Sequence, residues 1–173
     1  MMNYAVVRTD NLTGTDVRSQ LVSIRYMGAD GKTPTAIENG NVLKVGRLIE
    51  GEREIRIGSA PTAKDSLDEI VLIATPELLY DERLKALDDF RNEADGKPAR
   101  GYRLHNGDNF SVTKGALDGK DEPAVGDIVE LKAGTKLNVA ASLTSGSTQV
   151  GVVTEIQVVG PYTYYNITVG EKA

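Results

Sequence analysis

Three side chains near the middle of the chain invite a nucleophilic-catalysis reading: His105, Asp108 and Ser111. A histidine base needs a nucleophile in reach and a carboxylate to orient its ring. These three share one short stretch across an Asn106-Gly107 turn, and three residues so close in sequence seldom converge as a triad. The expected place for His105 is the exposed end of a strand. It is the sole histidine, and cysteine is absent, so thiol nucleophiles, thiolate metal sites and multi-histidine metal sites are excluded within one chain.

The carboxylates are more numerous. Asp81, Glu82, Asp88, Asp89 and Glu93 alternate with Arg83, Lys85 and Arg91, the pattern of a solvated face with local ion pairs. A glycosidase pair needs two carboxyls converging in a cleft. With two Phe and no Trp, the chain also has few rings to stack against a sugar. A small hydrolase using Asp108 or Glu122 is a weaker alternative on the same grounds. The loop Asp118-Gly119-Lys120-Asp121-Glu122 is rich in oxygen, but it lacks the alternating ligands of a calcium loop and holds a lysine. No Walker A sequence occurs, and no G-x-G-x-x-G opens a helix. No catalytic, cofactor-binding or metal residues are therefore assigned, and no cofactor is expected.

Tyr162, Tyr164 and Tyr165 form the last chemical feature. Exposed, they would make interface anchors. Cross-strand pairing inside a sheet is the favoured reading. Asn11-Leu12-Thr13 and Asn166-Ile167-Thr168 match the glycosylation acceptor pattern. No secretory signal is apparent, so they read as chance matches.

The surrounding composition narrows the classes further. Lys plus Arg is 20 against 25 Asp plus Glu, a net charge of −5. That balance argues against a sequence-independent nucleic-acid binder. No apolar run approaches the roughly 20 residues that span a bilayer. Neither nucleic acid nor membrane is expected as a partner.

The elements that must position these residues are mostly strands. Asn39-Gly40 is a turn signal, Val42-Leu43-Lys44-Val45 follows as a strand, and residues 41–58 read as a β-hairpin ended by Pro61. Residues 69–75 are a continuous apolar run that suits a buried strand. Residues 101–105 and 109–113 flank the Asn106-Gly107 turn, and short strands separated by glycine-containing turns fill the remainder. One helix is expected over about 76–94. Thr75 is its N-cap and Pro76 its first residue, Tyr80, Leu84, Leu87 and Phe90 form its apolar stripe, and Gly96 follows its end.

The segments ENGNVLKVGRLIEGERE and IATPELLYDERLKALDDFRNEADGKPARGYRLHNGDNFSVT add a family likeness. With the motifs NYAVVRTDN, GERE, PELLYDE and GDNFSVT, the chain resembles small virion proteins encoded near the major capsid gene of tailed phages of Gram-positive hosts. Decoration or cement proteins of that group are small and β-rich. The resemblance implies a structural role on the outside of a capsid and supplies no functional residues.

The expected fold is thus mostly β: small barrel or sandwich modules with one central α-helix. An N-terminal β module would occupy 1–75, a connecting helix 76–95 and a C-terminal β module 96–173. The expected function is a non-enzymatic capsid decoration or cement protein, made in the host cytoplasm and placed on the virion surface. Its partner would be the major capsid protein, with a homotrimer as the expected oligomer. The alternative is a host-surface or carbohydrate-binding module of a tail fibre or baseplate.

Overall fold

The computed structural model describes residues 4–8, 21–78 and 86–171. The fold is mostly β, in two sheets. Among the described residues twelve strands run in chain order: β1 (Val7–Arg8), β2 (Leu21–Tyr26), β3 (Val42–Leu48), β4 (Ile55–Ser59), β5 (Ile70–Ile73) and β6 (Ala99–Arg103). Then follow β7 (Asn109–Thr113), β8 (Leu117–Gly119), β9 (Ile128–Glu130), β10 (Leu137–Ala140), β11 (Gln149–Val159) and β12 (Tyr162–Val169).

The first sheet is a closed barrel of order β2-β4-β3-β5-β6. The expected hairpin is present in it: β3 and β4 pair antiparallel, from Lys44↔Ser59 to Leu48↔Arg56, with a register shift between Val45 and Leu48. Only β2 and β4 run parallel. A five-stranded barrel has little interior, and two glycines meet that constraint. A Cβ on Gly58 would come within 2.7 Å of Leu43 and 2.9 Å of Ile24, and one on Gly101 within 2.8 Å of Val71.

The second sheet has order β1-β7-β12-β11-β9-β10-β8, with only β8 and β10 parallel. The 3-10 turn Lys114–Ala116 is all that joins β7 to β8. Three residues reach about 10 Å, so β8, at the far end of the order, must return beside β7, and the sheet curls.

The sheets exchange strands across the expected boundaries at 75 and 96. β6, which follows the second boundary, closes the barrel between β5 and β2, while β1, near the N-terminus, pairs with β7 through Val7↔Val112 and Arg8↔Ser111. The Asn106-Gly107 turn therefore joins the two sheets.

One core runs between them. Val42, Ile70, Leu72, Tyr102 and Leu104 pack with Phe110, Val112, Leu131, Leu137 and Ile167 of the second sheet. The alternate residues Leu43, Val71 and Ile73 fill the barrel interior with Val22, Ile24, Ile37 and Ala99. β5 is thus buried on both faces, which is why its sequence is a continuous apolar run instead of an alternation.

The central α-helix is not found. Among the described residues, 76–78 and 90–95 have no α-helical turn, and Leu87–Asp89 forms a single 3-10 turn. Tyr80 and Leu84, half of the expected stripe, lie outside the described residues. The local groups that promised a helix are engaged elsewhere. Thr75 does not cap: its Oγ1 accepts the Arg100 N–H at 3.0 Å, and its own N–H donates to Asn39 Oδ1 at 3.0 Å. Asn39 Nδ2 donates to Thr75 O and Glu77 Oε1, and Asn92 Nδ2 donates to Ile37 O and Asn39 Oδ1. Leu87, expected on the buried stripe, is 40% exposed. Among the described residues, no helix is long and apolar enough to cross a membrane.

Candidate interaction surface

The His105 group does not assemble a triad. His105 is exposed, and its Nδ1 lies 3.7 Å from Asp108 Oδ2. The same carboxylate oxygen accepts the His105 backbone N–H at 2.9 Å, and Asp108 N–H donates to His105 O. These contacts close the turn that carries the chain from barrel to sheet. Ser111 is fully buried within β7.

The oxygen-rich loop is likewise tied into the scaffold. Lys120 Nζ donates to both oxygens of Asp127 at 3.0 and 2.9 Å, and Asp127 Oδ2 also accepts the Ala124 N–H. Burial works to raise the Asp127 pKa, but the Lys120 ammonium and the Ala124 N–H outweigh it and hold the carboxyl below its ordinary range. Glu130 follows the same rule without a cation: burial opposes ionisation, but Thr144 Oγ1–H, Thr144 N–H and Asn138 Nδ2–H all donate to it, and its pKa is lowered. Both carboxylates therefore brace the β9–β10 corner. No group of three His, Asp or Glu side chains suited to a metal ion occurs among the described residues.

The tyrosines face inward. Tyr162 and Tyr164 are buried with Val6, their ring centroids 6.1 Å apart. Tyr162 O–H donates to Asp88 Oδ1 at 2.8 Å, and burial together with that hydrogen bond raises its pKa. The Arg8 guanidinium sits 5.6 Å from the Tyr164 ring centroid and donates to Gln157 Oε1. Tyr162 and Tyr164 are neighbours along one strand, and these contacts fix that face of the β11–β12 hairpin to β1 and the Leu87–Asp89 turn, while Tyr165, on the opposite face, is partly buried against the main core. In β12, the Asn166 side-chain oxygen is enclosed without a hydrogen-bond partner among the described residues. Asn11 lies outside the described residues.

The feature that motif reading misses lies on the neighbouring strand. β11 pairs with β12 along its length, from Gly151↔Val169 to Val159↔Tyr162. On its other side β9 covers only Gln149 to Val152, and Val153 N–H donates to Asp127 O. From Thr154 to Val159 that side has no described strand beside it. Ile156 and Val158 share one face, and Val158 is 75% exposed. Val159, at the turn, is also exposed. Gly160 supplies the left-handed φ of +58° at the first position of the two-residue loop. An uncovered edge with aliphatic side chains is a template for another strand, and such edges are normally blunted. Here one charge, Glu155, and the register shift between Val153 and Glu155 are the blunting devices. The alternation of Ile156 and Val158 with polar neighbours was visible in sequence, but exposure on an edge is a property of pairing.

A second apolar feature is a groove of about 340 Å³ lined by Pro76, Leu78, Phe90 and Lys97 among others.

The chain matches no protein-family model, no curated protein and no solved structure.

Proposed function

We propose that this protein is a non-enzymatic structural component of a tailed-phage virion, a decoration or cement protein that binds the major capsid protein and stabilises the capsid exterior. The observation that carries the reading is the β11–β12 hairpin. One face is locked by buried tyrosines, and the other offers Ile156 and Val158 along an edge that no strand covers among the described residues. A clamp needs a rigid body and an adhesive strip, and a core continuous between the two sheets supplies the rigidity. Many copies on a shell make a modest contact sufficient. The resemblance to small phage virion proteins read from the sequence motivates the same proposal.

The alternative of a glycan-binding tail module drew on the tyrosines. Burial of Tyr162 and Tyr164 removes them as a stacking platform.

Cosedimentation with capsids that lack the protein tests the proposal. The expected result is saturable binding at a fixed ratio to the major capsid subunit. Absence of binding to both expanded and unexpanded shells would sink it.

A further inference from the structure

The two ends of the barrel differ. At one, Ile37 is buried in the barrel interior and bridges to Asn92, which closes that end. The other is a polar mouth of about 410 Å³ where β2 and β4 begin and β3 and β6 end. Its lining includes Arg53, Arg56 and Arg103 beside Leu21, Val22 and Leu48.

The register explains why arginines sit there. Arg56 shares a strand face with Gly58, and Arg103 shares one with Gly101 and Ala99, all of which look into the barrel. At the strand ends these inward positions emerge at the rim. Two of the guanidiniums are anchored by neutral acceptors: Arg56 Nη1 donates to Gly46 O at 3.1 Å, and Arg103 Nη1 to Asp68 O at 2.7 Å. Carbonyls orient a guanidinium without cancelling its charge. Arg53 makes no hydrogen bond among the described residues. Among the described residues no carboxylate lies within ion-pair distance of any of the three, although Glu54 shares the rim and Glu52 adjoins Arg53. The described lining of the mouth holds three cations and one anion, on a chain whose net charge is −5.

We infer that this barrel mouth is a binding site for a small oxyanion ligand, held through a carboxylate or phosphate group. Guanidinium forks match either group with paired N–H donors, and pre-anchored forks lose less freedom on binding. The site is independent of the capsid reading, since the β11 edge belongs to the other sheet.

The test is titration of the full chain with inorganic phosphate and, separately, with citrate at low salt, following the arginine Nε–H resonances by NMR. Saturable shifts confined to Arg53, Arg56 and Arg103 are expected with at least one probe. Phosphate alone, citrate alone, or both would identify the headgroup preference. Arg103→Gln should weaken binding about tenfold, as loss of a charge-assisted contact implies. Arg53→Gln should weaken it about threefold, and because Arg53 holds nothing in the fold, that variant keeps the test sound if Arg103→Gln unfolds. Glu54→Gln should tighten binding, an effect no purely structural role produces. No saturation with either probe, or equal binding by the Arg53→Gln variant and the parent, would overturn the assignment.

Discussion

Every strand of the barrel has a partner on both sides, whereas the seven-stranded sheet leaves one side of β11 uncovered beyond Val153 among the described residues. Closure removes edges but leaves ends, and it restricts the interior enough to require glycine at 58 and 101. An open sheet retains edges. The consequence is a division of surface chemistry. The barrel presents a charged mouth, and the sheet presents an apolar strand edge. Because Val42, Ile70, Leu72 and Tyr102 of the barrel share a core with Phe110 and Ile167 of the sheet, the two surfaces belong to one body.

The strongest way to break that picture is at the shared core. Phe110 is fully buried, so Phe110→Ala should cost about 3–5 kcal/mol. Amides of barrel and sheet should then lose hydrogen-exchange protection together. Retained protection in the barrel alone would mean that the two sheets fold as separate units.

Acid should sharpen the comparison with a smaller effect. Asp127 and Glu130, both in the second sheet, have pKa values lowered in the fold. Each therefore contributes stability that is full above the ordinary carboxylate range, about pH 4, and is lost as the pH falls through the lower folded value. Amides at the β9–β10 corner should open before those of the barrel interior as pH drops from 5 toward about 2, within the window carboxylate linkage covers. Asp127→Asn should flatten the pH dependence of the urea midpoint. An unchanged slope would show that the Lys120 contact adds nothing to folding.

What was legible in the sequence follows from how local each signal is. The β3–β4 hairpin was readable because turn and strand residues are adjacent. β5 was readable because burial on both faces leaves an uninterrupted apolar run. The helix misled because capping and periodicity are local preferences, and Thr75, Asn39 and Asn92 satisfy the backbone through contacts distant in sequence. A short helix gains most of its stability from packing an apolar face, and Leu87 finds no such face. The arginines of the barrel mouth come from two places in the chain, the start of β4 and the end of β6, and these converge only through strand register. The β11 edge was readable as a strand, but its bare side depends on β9 being short.

The central claim is that the uncovered β11 edge holds the protein on a capsid, and a parallel cosedimentation of the parent and Val158→Lys tests it most directly. Val158 is exposed, so the substitution should change stability by no more than about 0.5 kcal/mol. It places a charge where a partner strand would pack. The account predicts saturable binding by the parent and little or none by the variant, with matching thermal transitions for the two free proteins. Equal binding by both would contradict the edge as the contact, and binding by neither would contradict the capsid role itself.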